Sequence, residues 1–418
     1  KYKAKMKIAI VGSGISGNSL AHLLSKRHNI TLFEKNNRLG GHSHTHEIIV
    51  EGKKLNVDTG FIVFNKEAYP LFTNLLDNLN VKYEKSNMSF SVYSKENDFE
   101  YNGTSLNSLF SQRKNICNYR FLRMIYEITK FNKISINLLK ANEHISLGNF
   151  LKKNKFSNFF CERYILPMGS AIWSTDINKI LEFPAIFFIK FFKNHGMLNI
   201  NDRPQWLTIK GGSKEYVERL TAPFKKNIKL NCEVELIERN PEFVTVTHKD
   251  GIDKFDYIFL ACHSNEALNL LKNPTHHEKK ILSAINYVKN TVTLHTDESI
   301  MPKNKLTWAA WNYNIDNKKN MPIALTYNMN ILQNLSTNKT ILVTLNDKGK
   351  IRQDKVIKII NYSHPLFSKN SIEAQSKYHQ ISGENRTGYA GAYWGNGFHE
   401  DGIRSAYNAI SQLDKYNN

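Results

Sequence analysis

The 418-residue chain has little of several things, and each scarcity removes a class of protein. Its four cysteines, Cys117, Cys161, Cys232 and Cys262, stand far apart without a Cys-x-x-Cys pair. Neither a disulfide framework nor a cysteine zinc site follows from them, and a reducing cytoplasm is the expected setting. No apolar run approaches the roughly 20 residues of a membrane-spanning helix. The run Ile8-Ala9-Ile10-Val11, after the cations of residues 1–7, imitates a signal sequence but is too short and ends in glycines. It is read as part of the fold, with Met6 as the expected natural start. Internal repeats and low-complexity linkers are missing too. Acid is under-represented: 37 Asp and Glu against 57 Lys and Arg leave a formal net charge of +20. That balance favours anionic partners, an anionic membrane surface among them, although a composition rich in Lys, Asn, Ile, Phe and Tyr is a plainer origin for it. No recognised nucleic-acid motif accompanies the charge, so nucleic acid is not an expected partner.

Glycine is sparse as well, at 21 residues, so its clusters carry information. The first opens the chain. Ile8 to Val11 form a short apolar strand, Gly12-Ser13-Gly14-Ile15-Ser16-Gly17 follows at once, and a helical pattern with Leu20, Leu23 and Leu24 on one face comes next. A second strand, Ile30 to Phe33, runs into Glu34 and Lys35. Strand, glycine turn, helix, strand and terminal acid in register make a dinucleotide-binding βαβ unit. Gly12 allows the tight turn, Gly14 admits backbone to a pyrophosphate, and Gly17 lets the helix sit close to the strand. The helix start around Ser13 and Ser16 offers free N–H groups to the phosphates, and Glu34 is placed to accept from ribose hydroxyls. Arg38-Leu39-Gly40-Gly41 comes next. From Gly12 to Gly41 the chain resembles the fingerprint of FAD enzymes related to glutathione reductase and the flavin amine oxidases. The second glycine pair is not expected in a nicotinamide-only protein, and the resemblance implies FAD.

Beyond Gly41, His42, His44 and His46 alternate, a spacing that could suggest a metal; with no acid or cysteine beside them, polar contacts to the cofactor are expected and a metal site is not. Leu55 to Phe61 reads as a strand ending at Thr59-Gly60-Phe61, a segment that the amine-oxidase-like fold returns to its flavin. Between Arg113 and Lys133, six cations interleave with Phe121, Leu122, Ile125, Ile128 and Phe131, which predicts a basic amphipathic helix. Its basic face suits either solvent or an anionic membrane. Five phenylalanines between Phe183 and Phe192 could line a hydrocarbon tunnel, dip into a bilayer, or fill core. Further on, Gly211-Gly212-Ser213 precedes a helix at 214–220, and strands are predicted at 228–235 (with Val234), 244–247, 255–262, 290–295 and 323–327. The closing stretch, from Gly388 through Gly391, Gly397 and Gly402 to Ser405, predicts a strand, a glycine loop and a helix opening near Gly402. Such a helix start could stabilise negative charge on a reduced flavin.

Taken together, the chain resembles one branch of the flavin amine oxidase superfamily along nearly its whole length, the predicted NAD/FAD-binding amine-oxidase-like proteins. The match runs through Arg38 to Thr45, Asp58 to Asn65, Asn87 to Ser91, Gln112 to Asn115, Pro167 to Ser174, Arg203 to Val217, Trp311-Asn312-Tyr313 and Gly397 to Ser405. It implies an α/β fold: a two-dinucleotide-binding, Rossmann-type FAD domain (residues 1–75, 203–275 and 380–418) interleaved with an α+β substrate and membrane-contacting domain (76–202 and 276–379). Asp401, Gly402, Ile403, Gly391 and Val234 join the expected FAD contacts. Relatives of this branch occur beside, or fused to, cyclopropane-fatty-acid synthases, which implies a lipid or fatty acyl substrate, on a phospholipid. Two departures speak against an amine cage: Asn290 falls near the family's flavin-facing lysine, and Phe398 stands for one of its two tyrosines. The expected activity is FAD-dependent oxidation of an unsaturated or modified acyl chain. His399, Glu400 and His295 are the catalytic candidates, with Phe187, Phe188, Trp311, Tyr313 and Phe398 around the substrate. Amine oxidation and desaturation or isomerisation of another lipid are the alternatives, and the oligomeric state stays open.

Overall fold

The computed structural model describes residues 5–141, 144–199, 202–315, 324–347 and 349–416. β1 (Lys7–Val11), α1 (Ile15–Leu24) and β2 (Asn29–Phe33) form the opening unit. β1 lies in the middle of a five-stranded parallel sheet, flanked by β2 and then Ile228–Lys229 on one side and by Tyr257–Leu260 and Thr387–Tyr389 on the other. Four of its five residues are buried, as are all four of Tyr257–Leu260. Such continuous apolar runs belong to parallel strands covered on both faces. One face carries α1 and the closing helix His399–Tyr416, which pack on each other. Against the other lie an antiparallel three-stranded sheet (Val234–Arg239, Val244–His248, Gly251–Phe255) and the apolar cluster around Val244, Val246 and Ala267.

The predicted strand at 228–235 is two strands. Asn231 takes a left-handed conformation (φ 52°) and turns the chain from the parallel sheet into the antiparallel one. A seven-stranded sheet forms the other large element. Its long edge pair is Asn286–His295 against Val356–Leu366, and at its opposite end Trp311–Asn314 runs parallel to Phe90–Ser94. The strand expected at 323–327 is Ala324–Asn328; Ile323 lies outside the described residues, as do residues 1–4 of the basic start. Tyr83–Lys85 pairs instead with Trp206–Ile209, next to Val63–Asn65.

The predicted basic helix at 113–133 is divided. Residues Arg113–Cys117 make a 3-10 turn and the long helix is Tyr119–Ala141. Asn118 explains the break: its side-chain oxygen accepts from the N–H groups of Arg120 (3.1 Å) and Phe121 (3.4 Å), which caps a new helix. The phenylalanine-rich segment is the helix Ala185–Asn194 with Phe183 just before it. Phe183, Phe188, Phe191 and Phe192 are all buried, so this segment does not dip into a bilayer. Among the described residues no helix is long and apolar enough to cross a membrane.

Candidate FAD and substrate site

A cavity of about 1450 Å³ begins at the end of β1 and continues under the seven-stranded sheet. Its nucleotide end is built by the opening unit. Gly12 has φ 99°, and a β-carbon on Gly17 would stand 1.9 Å from the Gly12 carbonyl oxygen, so the turn closes and α1 packs on it only with glycine there. Gly12, Ser13, Gly14 and Ser16 line the cavity. Glu34 holds the loop from below: one carboxylate oxygen accepts from Ser13 N (3.1 Å) and Ser13 Oγ (2.6 Å), the other from Asn36 N (2.9 Å) and Asn36 Nδ2 (2.7 Å). Lys35 is paired with Glu266 at 2.7 Å. Arg38 donates to Gly41 O (2.8 Å), and its guanidinium faces the same space as Gly40, Gly41 and Gly60. Val234 lines the nucleotide end together with Cys232 and Glu233.

Other expected FAD contacts shape the cradle from behind. Thr59, Gly17, Asp401, Gly402 and Ile403 do not line the cavity. A β-carbon on Gly402 would come within 2.5 Å of the Ile15 side chain, so the closing helix seats directly on the start of α1. Ser405 ties the two together, accepting from Gly391 N (2.9 Å) and reaching Ser16 Oγ at 3.4 Å. The helix starts at His399, earlier than expected, because the Asp401 carboxylate reaches back to Phe398 N (3.1 Å). Burial in that cap pushes Asp401 up to about 6.

The three catalytic candidates separate. His399 is at the cavity wall, stacked on Phe61 with ring centroids 3.6 Å apart. Its Nε2 lies 2.8 Å from Ser43 Oγ and 3.0 Å from Tyr216 Oη, and burial holds it down to about 3, hence neutral. Glu400 points away. Its carboxylate accepts from Leu71 N (3.2 Å) and Phe72 N (3.0 Å), the free donors that follow Pro70 at the start of the helix Pro70–Asn78. It is a cap for that helix and not a catalytic acid. His295 is fully buried inside the seven-stranded sheet, with Nε2 2.8 Å from Thr344 Oγ1 and Nδ1 accepting from Asp297 N at 3.0 Å. Neither it nor Glu400 lines the cavity.

Among the substrate candidates, Trp311 and Phe398 line the cavity; Phe187, Phe188 and Tyr313 do not. Phe188 stacks on Phe192 at 4.4 Å and presses on Gly169, and Phe187 leans on Phe367 at 5.1 Å. Phe191, one helical turn after Phe188, is the residue of that helix that faces the cavity, 4.9 Å from Phe398. Sequence reasoning missed it, together with Ile125, Ile128, Met168 and Ile172. It also missed the aromatic group where the cradle meets the apolar chamber. There His42 stacks on Tyr362 (5.1 Å) and lies 5.2 Å from His364. Asn290 is behind them: its Nδ2 donates to His364 Nδ1 (2.9 Å) while its Oδ1 accepts from Asn346 Nδ2 (2.8 Å). Burial and the neighbouring His263 hold His364 down to about 4, so with Nδ1 accepting, its proton is on Nε2. His44 and His46 are engaged elsewhere, with Tyr362 Oη (3.0 Å) and Thr59 Oγ1 (3.0 Å). These two histidines therefore bond to hydroxyls of the protein itself. A convergence the cysteine spacing did not show lies at the nucleotide end, where Cys232 Sγ is 3.3 Å from His248 Nδ1 and Asp250 is close by.

The family of flavin containing amine oxidoreductases matches residues 16–339, well over half of the chain. The chain belongs to this family. No curated protein sequence matches it. Solved structures do: a CLA-producing fatty acid isomerase from P. acnes is 15% identical over 98% of each chain, with a TM-score of 0.69. Cyclohexylamine oxidase from Brevibacterium oxydans IH-35A is 12% identical over 99% of each, at 0.70. Putrescine oxidase bound to putrescine is 13% identical over 98% of this chain and 99% of its own, at 0.67. At these identities the likeness establishes the fold. This flavin amine oxidoreductase takes FAD, and its residues fit the group: the glycine cradle is open to the cavity at Gly14, and the buried Nε2 of His42 in its wall has no partner among the described residues. Ser13, Glu34, Arg38 and Val234 would hold the nucleotide, with His42, Phe61 and His399 further along the wall.

Proposed function

We propose that this flavin amine oxidoreductase removes hydride from an unsaturated or modified fatty acyl chain carried on a phospholipid. One observation carries the reading. Among the described residues, the acids that line the cavity are Glu34, Glu233 and Glu266, at the nucleotide end, and the chamber beyond is walled by apolar side chains such as Ile128, Met168, Ile172, Trp173 and Phe191. An ammonium group placed there would be desolvated with no carboxylate to pair with. A hydrocarbon gains about 0.8 kcal/mol for each methylene buried, so ten of them would bind without a charged anchor. The resemblance to the branch found beside cyclopropane-fatty-acid synthases points the same way, and one structural neighbour is a fatty acid isomerase. When bound, FAD supplies the two-electron acceptor, and oxygen or another oxidant then takes the electrons. The chain's share is to orient the acyl carbon, exclude water through the aromatic wall, and present the neutral Nε2–H of His364. Anaerobic mixing of the FAD-loaded protein with phospholipids of different acyl chains, against primary amines and polyamines, tests this by the loss of flavin colour. Bleaching by a lipid is the expected result. Bleaching by an amine with every lipid inert would overturn it, and a rearranged lipid without bleaching would assign isomerisation.

A further inference from the structure

The long helix Tyr119–Ala141 has three faces. Phe121, Met124, Phe131 and Leu138 are buried in the core. Ile125 and Ile128, on its flank, line the cavity. The outward face carries Tyr119, Leu122 and Tyr126, which are 73%, 43% and 66% exposed and lie three and four residues apart on one stripe. Arg120, Arg123, Lys130 and Lys133 flank them, with Lys140 further along, and the helix has a single acid, Glu127, that is buried and bonded to Ser157 and Arg123. Leu106 is 77% exposed and lines the same cavity as Ile125 and Ile128, so the cavity wall reaches the surface at that residue. Large exposed apolar side chains flanked by cations, of which Arg123 alone is paired with an acid of the helix, at the edge of a hydrocarbon-lined cavity, complement one kind of partner.

We propose that this face docks on an anionic lipid bilayer, so that an acyl chain passes from the bilayer into the cavity beside Leu106 without crossing water. The proposal rests on the acyl-chain reading for its purpose and on the surface alone for binding. Tyr119, Leu122 and Tyr126 enter the headgroup boundary and the cations meet lipid phosphates, each Lys or Arg near such a surface contributing roughly 1 kcal/mol.

Co-sedimentation with vesicles of phosphatidylcholine, with and without phosphatidylglycerol, tests it on the FAD-loaded full chain. Binding should need the anionic lipid and weaken with salt. Tyr119→Asp/Tyr126→Asp and Arg120→Glu/Lys133→Glu should each bind about tenfold or more weakly, while Ile49→Asp/Ile252→Asp, equally exposed but remote, should bind as the parent does. All these side chains are exposed, and unchanged thermal unfolding certifies each variant as folded. No binding by the parent, equal binding to neutral vesicles, or unaffected patch variants would overturn the proposal. Flavin reduction by detergent-dispersed lipid separates the two readings. Patch variants should keep it and lose only turnover on vesicles, whereas vesicle binding without reduction by any lipid would sink the acyl-chain reading alone.

Discussion

Glu34 accepts four hydrogen bonds, two from Ser13 and two from Asn36. The carboxylate that the nucleotide motif reserves for a ribose thus also braces the phosphate loop. A hydrogen bond to a charged acceptor is worth about 1.5–3 kcal/mol. Glu34→Ala should accordingly weaken FAD retention by one to two orders of magnitude, measured as flavin release on dialysis or dilution, and should also lower the Tm of the protein freed of FAD. Glu34→Gln should lose less, because an amide oxygen can still accept from Ser13. Equal FAD retention in all three proteins would refute the assignment. Asn290 is a second residue where one group serves two neighbours. Asn290→Ala removes the donor to His364 Nδ1 and one acceptor for Asn346 Nδ2, which should cost about 1–3 kcal/mol of stability. Thermal unfolding reads this directly, and an unchanged Tm would mean the pair is replaceable.

The helix Ala185–Asn194 shows what an element's sequence can and cannot disclose. Its phenylalanines announce burial, and burial is found. Which ring faces the cavity depends on what stands opposite. Gly169 leaves room for Phe188, with a ring carbon 2.7 Å from where a glycine β-carbon would be, so Phe188 fills core while Phe191 meets Phe398. Phe188→Ala should therefore cost about 3–5 kcal/mol in stability without changing the preferred chain length. Phe191→Ala should alter the chain length that reduces the flavin fastest. The opposite pattern in unfolding and flavin-reduction assays would reverse the two roles. The opening βαβ unit was legible because its constraints are local: a turn with φ 99° and a helix touching the Gly12 carbonyl leave glycine as the residue that fits. Glu400 was not legible as a cap, because the helix it caps begins at Pro70, far away in sequence. His295 likewise looked chemical until Thr344 on the neighbouring strand and the backbone of Asp297 accounted for both ring nitrogens.

Among the described residues of the whole molecule, buried histidines outnumber the groups that would offset them, and this sets the response to acid. Burial holds His195, His295 and His364 down to about 4 and His399 to about 3, against an ordinary value of 6.5. An unfolded chain would take up protons at these sites below pH 6.5 while the folded chain refuses them until pH 4 or lower. Their contribution is thus full above pH 6.5 and is lost as pH falls toward 4, by about 1.4 kcal/mol per pH unit for each histidine once its unfolded form is protonated. Asp401, raised to about 6 by burial, acts with the opposite sign, since the folded chain favours its neutral form and stability declines as pH rises through that value. Burial raises Asp58 and Glu100 as it does Asp401, but nine histidines are depressed against these three acids, so acidification is the destabilising direction. His295 isolates one unit of the effect because it does not line the cavity and its ring bonds only to Thr344 and to the backbone of Asp297. His295→Gln should lower stability at pH 7.5 through its altered sheet contacts, yet flatten the fall between pH 6.5 and 4.5 by about 1.4 kcal/mol per pH unit. Denaturant unfolding of parent and variant across that range measures the two slopes, and parallel curves would show that His295 is charged in the folded protein.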